Sequence, residues 1–205
     1  AIQTPGAVGG ANWNGAALDP ETGVLYVPSV TAPVIMGLRP PPDPARSDLR
    51  YRVDLSEADG YAWTQLPNGL PITKPPYGRI TAIDLNTGEH LWVAPNGPGF
   101  RDHPELADLD LPWLGQPGRA SALVTKTLLF LAEGSPDTVV QPPGGGGKML
   151  RAYDKATGEV LAEIELPAGV SNAPMTYLYE GRQYIVVAIG EEGYETELVA
   201  LALPM

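Results

Sequence analysis

Residues 80–93, ITAIDLNTGEHLWV, alternate apolar and polar, break, and alternate again, ending near a tryptophan. Residues 150–164, LRAYDKATGEVLAEI, do nearly the same, and residues 16–27, AALDPETGVLYV, do part of it. The shared element is Ala-x-Asp-x-x-Thr-Gly, beginning at Ala17, Ala82 and Ala152. Alternation on either side of a turn signal predicts strand, turn, strand. A chain that writes one tight hairpin repeatedly is confined to a few antiparallel architectures. In the middle copy, Asp84 can accept hydrogen bonds from turn amides, and Thr87 can do so through its hydroxyl. Gly88 supplies the positive φ that closes the hairpin. Ala82 is small where another layer must come close, and Trp92 can pack over a neighbouring sheet. These local duties make Asp19, Asp84 and Asp154 turn formers rather than catalytic or metal-binding groups.

The 205 residues suffice for a sizeable core, and 43% hydrophobic content argues against disorder. The 24 glycines and 23 prolines are about twice the usual share, which points to a loop-rich all-β fold. A net charge of −11 argues against nucleic acid and against an anionic membrane surface as partners. There is no cysteine, hence no disulfide or thiol chemistry. No apolar run approaches a membrane span, and AIQTPGAVGG at the start lacks the regions of a signal peptide. Ala1 is not a natural initiator, which points to a processed chain or an excerpt.

Hairpins of two kinds follow one another. NWNGAALDPETGVLYVPS, RASALVTKTLLFLAEG and APMTYLYEGRQYIVVAIG read as inner hairpins, and GRITAIDLNTGEHLWVAP and KMLRAYDKATGEVLAEIEL as outer ones. A lone strand, ELVALAL, follows. Four strands per unit is the pattern of a β-propeller blade. The expectation is therefore a partial propeller of two full blades and three strands of a last one. The first blade spans 12–94 with an insertion at 31–78, its strands near 13–19, 23–30, 79–84 and 89–94. The second spans 119–166, with strands near 119–125, 128–133, 148–154 and 159–166. The incomplete last blade spans 173–203, with strands near 173–179, 183–190 and 197–203. Tight turns then fall on one face and long connections, 31–78, 95–118 and 134–147, on the other. Long loops on a rigid scaffold are where binding concentrates. Their prolines predict order without secondary structure, and PPGGGG within 134–147 reads as a flexible tether, since no Lys-Ser/Thr follows to make a phosphate loop.

The pattern complete from Ala82 to Trp92 resembles the tryptophan-docking motif of the pyrroloquinoline quinone (PQQ)-dependent alcohol and sugar dehydrogenases. GGANWNGAALDPETGVLYVPS resembles their Gly-Gly-x-Asn-Trp segment, and SNAPMTYLYEGRQYIVVAIG their final hairpin. The likeness covers the whole chain in family order and is marked toward the membrane-associated glucose dehydrogenase-like quinoproteins. It departs at Ala162, where the second copy lacks its Trp, and at Val27 in the first hairpin. The resemblance implies the C-terminal blades of an eight-bladed propeller in a periplasmic oxidoreductase, with any membrane association made by a region preceding this chain.

PQQ is a flat tricarboxylate o-quinone, so holding it takes hydrogen-bond donors, a cation and an apolar or aromatic surface. By resemblance, Asn12 and Trp13 contact the quinone, through an amide and an indole N–H. Arg119 can pair with a carboxylate, or make an ordinary surface salt bridge. Residues 119–121 and 171–173 begin inner strands at the loop-bearing face. The family's chemistry also needs a carboxylate base and a calcium ion. It places both, with the Trp that floors the cofactor, in earlier blades; no catalytic base and no metal ligand is assigned in this chain. His90 and His103 read as surface residues. Asp102, Glu105, Asp108 and Asp110 read as a solvated charge run, with calcium binding as the weaker alternative. The implied partners are a sugar or alcohol substrate, a quinone or cytochrome electron acceptor, and the remaining blades or a second copy. The competing expectation is a non-catalytic propeller scaffold for protein partners, like the outer-membrane assembly lipoproteins with similar blades.

Overall fold

The computed structural model of the chain describes residues 1–6, 9–54, 61–134 and 144–203. Among them are fifteen strands: β1 (Ile2–Gln3), β2 (Ala17–Asp19), β3 (Val24–Val30), β4 (Val34–Arg39), β5 (Arg52–Asp54), β6 (Tyr61–Trp63), β7 (Gly78–Asp84), β8 (His90–Pro95), β9 (Ala122–Val124), β10 (Leu128–Ala132), β11 (Met149–Asp154), β12 (Val160–Glu165), β13 (Met175–Tyr179), β14 (Arg182–Glu191) and β15 (Tyr194–Leu201). Two short 3-10 turns, Pro44–Arg46 and Gly99–Asp102, complete the inventory. No helix among the described residues is long and apolar enough to cross a membrane.

The strands make three successive antiparallel sheets of propeller type. The first has the order β2-β3-β7-β8, the second β9-β10-β11-β12, and the third β13-β14-β15. The chain is a partial β-propeller, as its hairpin order predicts. The last strand pairs with its predicted partner: β14 and β15 run in register from Ile185↔Leu201 to Ile189↔Glu197. It begins at Tyr194 rather than at 197, because residues 192–193 make a tight turn on the face where long connections were expected.

Period-2 alternation decides what packs where. In β3, Val24, Tyr26 and Val30 are buried while Leu25 and Val27 are half-buried. The buried rows of the first sheet meet those of the second in one core, where Tyr26, Ile80 and Ala82 pack with Leu129, Leu131 and Tyr153. A second core joins the second sheet to the third through Leu150, Leu166, Val170, Val187 and Ile189. Of the three propeller sheets, only the middle one has a core on both faces among the described residues. At the two ends of the stack, Leu18 and Val93 on one side and Met175, Tyr177 and Leu198 on the other are exposed.

The repeated turn works as the sequence suggests. The Asp84 carboxylate accepts from the backbone N–H of Asn86, and that of Asp154 from the N–H groups of Ala156 and Thr157. Trp92 crosses to the second sheet, where its ring lies over Gly158 and its Nε1–H donates to the Lys155 carbonyl at 3.3 Å. A methyl group at Gly158 would stand 2.7 Å from that ring, so the glycine is dictated by the tryptophan as well as by its φ of 77°. Ala162, where a second Trp was missed, is exposed on β12.

Two expectations for the loops need correcting. The insertion has secondary structure: β4 pairs with β1, β5 and β6, and these four short strands form a small sheet of their own. Pro142 and Pro143 of the tether lie outside the described residues. Its glycines, however, are pinned: Gly146 N–H donates to Pro117 O, Gly147 N–H to Gly134 O, and Gln116 Nε2 donates to the carbonyls of Gly144 and Gly146. Glycine there permits close approach and backbone pairing rather than freedom.

Candidate functional site

Asn12 and Arg119, predicted 107 positions apart, come together. With Gly10, Asn14, Pro28, Ser29, Val30, Gly118 and Ala120 they line one shallow depression at the loop-bearing ends of the first two sheets. Neither residue lies in a strand. Asn12 sits in a turn closed by Gly15 N–H donating to the Asn12 carbonyl, so the first inner strand begins at Ala17 and not near 13. Arg119 precedes β9, which begins at Ala122.

The Asn12 side chain does local work: its Oδ1 accepts from the Trp13 N–H at 2.7 Å. That fixes the amide plane. Asn14, which sequence reasoning passed over, ties the two sheets. Its Nδ2 donates to the Arg119 carbonyl at 3.2 Å and to Ser121 Oγ at 3.0 Å. Trp13 does not line the depression. Its side chain is 96% exposed, so it belongs neither to the core nor to a closed pocket within this chain. Ser171 donates to the Ala188 carbonyl, and residues 171–173 do not line the depression. The polar groups of Asn12, Arg119 and Ser29 on this lining suit an anionic, oxygen-rich, planar ligand.

The long loops above it are stitched into a layer. Tyr77 packs edge-on against Phe100, with ring centroids 5.4 Å apart, and the Tyr77 N–H donates to Leu114 O. His103 is half-buried: one ring nitrogen hydrogen-bonds with the Asn68 carbonyl at 2.9 Å and the other accepts from the Glu105 N–H. Glu105 in turn accepts from Asn68 Nδ2. His103 is therefore a strut between the insertion and the 95–118 loop rather than a plain surface residue. His90, Asp102, Asp108 and Asp110 are exposed. Among the described residues no three His, Asp or Glu side chains gather in a group that could hold a metal ion.

Beneath this layer lies a polar cluster that sequence reasoning missed. Arg151 on β11 is 1% exposed. It donates through Nη1 to Glu133 Oε1 at 2.7 Å and to Asn96 Oδ1 at 3.3 Å, and through Nε to Glu163 Oε1 at 2.6 Å. Trp113 covers its guanidinium at 5.2 Å. Burial works against the charge, but the facing Glu133 carboxylate outweighs it and the Arg151 pKa is raised. Buried Tyr153, its hydroxyl on Asn96 Oδ1, is pushed up mainly by desolvation. One signal was available: an arginine at an inward position of a central strand is almost never buried without a partner.

With that geometry in hand, comparison with known proteins decides the family. Residues 1–185 match the family described as "PQQ: Glucose/ethanol/alcohol dehydrogenase, beta-propeller domain". The chain belongs to this PQQ dehydrogenase propeller family. It is 29% identical to the glycerol dehydrogenase large subunit of Gluconobacter oxydans, covering 99% of this chain and 30% of that protein. It is likewise 29% identical to quinoprotein glucose dehydrogenase A of Acinetobacter calcoaceticus, covering 98% of this chain and 26% of that one. The quinohemoprotein alcohol dehydrogenase of Comamonas testosteroni superposes with a TM-score of 0.54 at 25% identity, over 92% of this chain and 23% of the other. The chain thus spans less than a third of the relatives it matches.

Proposed function

We propose that the chain is the C-terminal portion of a PQQ-dependent dehydrogenase that oxidises a sugar or alcohol, and that it contributes one wall of the cofactor site. The observation that carries this is the convergence of Asn12 and Arg119 on one depression, in a chain of the quinoprotein propeller family. The bound quinone supplies the two-electron acceptor for oxidation at a hydroxyl-bearing carbon. The residues here bind and orient. Arg119 pairs with a ligand carboxylate, the Asn12 NH2 donates to a ligand oxygen, and Trp13 offers an exposed aromatic face to the part of the site that other blades build. Trp92 serves as the docking tryptophan between the first two blades, 12–94 and 119–166, ahead of the incomplete blade 173–203. Calcium, the base and the electron-acceptor contact are assigned to other blades of a periplasmic protein.

Two experiments test the proposal. The isolated chain, given PQQ, calcium and a dye acceptor, is expected to show no turnover of glucose or simple alcohols; oxidation above a no-protein control refutes it. In the full-length protein, Asn12→Ala is expected to weaken PQQ binding by about 1–3 kcal/mol, through a lost hydrogen bond to a buried ligand atom. Unchanged affinity on titrating the apo-enzyme returns Asn12 to a turn role. The exposed end faces, which further blades or a second copy would cover, lead the isolated chain to associate. Light scattering that finds a stable monomer counts against that arrangement.

A further inference from the structure

The buried Arg151 cluster is not part of the depression, yet it holds the backbone that forms it. Glu133 follows β10 directly. The ladder between β9 and β10 runs Leu129↔Val124, Phe130↔Leu123, Leu131↔Ala122, and it continues through the Ala132 N–H, which donates to Ser121 O. The register therefore sets Glu133 and Gly134 beside Ala120 and Arg119. The approach is close: a methyl group at Gly118 would stand 2.2 Å from the Glu133 carbonyl oxygen, and one at Gly134 would stand 2.7 Å from that of Arg119. The strip carrying Arg119 thus lies flat against residues 133–134 with no slack.

What fixes residues 133–134 is the carboxylate of Glu133. Its Oε1 is held by Arg151 Nη1, and its Oε2 accepts from the Met149 N–H at 3.3 Å. Arg151 is itself fixed from three directions, by Asn96 leaving the first sheet, Glu163 on β12 and Trp113 in the long loop. Asn96 adds a second brace through Nδ2, which donates to the Ala132 carbonyl at 3.0 Å. On the side of the depression, Asn14 holds the same strip, donating to the Arg119 carbonyl. We infer that Arg151 and Glu133 are positioning residues that hold the Asn12–Arg119 wall in the shape the quinone requires. This rests on the cofactor reading of that wall. Neither residue touches the ligand; both act through the backbone of 118–121. An apolar core would stabilise as well as a buried ion pair does, but it would not tie two loops and three strands to one point.

The test is made in the full-length apo-enzyme, titrated with PQQ in the presence of calcium, alongside amide exchange at Ala132, Gly146 and Gly147. Arg151→Met is expected to raise the PQQ Kd by roughly 10-fold or more and to speed exchange at those amides, since a tenfold change needs only one such contact misplaced. Glu133→Gln keeps shape and the Met149 contact but removes the charge; it carries the test if Arg151→Met does not fold, with the same direction expected. Lys155→Met, which breaks a different buried pair of the same two sheets, is the control: it lowers Tm and leaves the PQQ Kd unchanged. If Asn12→Ala weakens PQQ but neither cluster variant does, the inference is overturned and the cofactor reading stands. A loss of affinity in Lys155→Met equal to that in Arg151→Met also overturns it, because general destabilisation then explains both. If Asn12→Ala leaves affinity unchanged, the cofactor reading falls and this inference with it.

Discussion

The interface between the first and second sheets has two rims, and they are closed by different means. On the tight-turn rim everything converges on Lys155. Its carbonyl accepts from Tyr26 Oη at 3.0 Å and from Trp92 Nε1 at 3.3 Å, and its Nζ donates to Asp19 Oδ2 at 2.6 Å. On the loop rim everything converges on Arg151, whose contacts come from Asn96, Glu133, Glu163 and Trp113. Apolar packing of Tyr26, Ile80, Leu129 and Leu131 lies between. The turn rim is made by residues of the repeated hairpin itself. The loop rim is assembled once, from segments with no common pattern. Stability is shared by both rims; the shape of a binding wall depends on the second alone.

The difference can be stressed in order of size. Arg151→Met leaves Glu133 buried without its cation, and a loss of about 3–5 kcal/mol is expected by denaturant unfolding. Trp92→Ala strips the ring from Gly158 and from Tyr26, 5.8 Å away centroid to centroid; half-exposed as it is, about 2–3 kcal/mol is expected. That variant should leave the exchange of Gly146 and Gly147 untouched, and a change there would join the two rims into one unit.

Lys155→Met is the smaller cut, about 1–2 kcal/mol, because Asp19 keeps the Glu21 N–H and the Thr22 hydroxyl. It has a pH signature. The Lys155 hydrogen bond, with those of Thr22 and Glu21, holds the Asp19 pKa down at about 2, against an ordinary 3.8. A carboxylate lowered in the folded state contributes stability that is full above about pH 4 and lost as pH falls toward 2. The wild type should therefore lose stability over that window, and Lys155→Met should lose less there. An identical acid limb in both proteins would remove Asp19 from the account. Smallest of all, Asp84→Ala in the repeated turn should lower Tm only slightly.

How much of this was legible follows the same division. Asp84, Gly88 and Trp92 announced a turn and a dock because their partners lie within a few residues or in a copy of the same motif. Strand order and pairing followed from period and turn spacing, down to the partner of the last strand. The nearness of Asn12 and Arg119 was legible through blade order, which sets the starts of successive inner strands on one face, since nothing local to Asn12 says that residue 119 is its neighbour. Glu133 and Arg151 were not legible as a pair. Each looked like one more charge in an acidic chain, and the groups that satisfy them arrive from 18 and 55 residues away. The small sheet of the insertion was missed for a related reason: its strands β4, β5 and β6 are short and lie among prolines, and β4 pairs with segments distant from it in sequence.

Of the three propeller sheets, the middle one alone has a core on both faces among the described residues, and this has a consequence for how the chain assembles. Among the described residues the first and third sheets share no buried core; each packs on the second. In such a nearest-neighbour array, loss of an end unit removes one interface, whereas loss of the middle unit removes two. Order should therefore start at β9–β12 and spread outward. The end sheets can open separately while the middle one holds, so hydrogen exchange should be slowest at β10 and β11 and quicken in both directions along the arc.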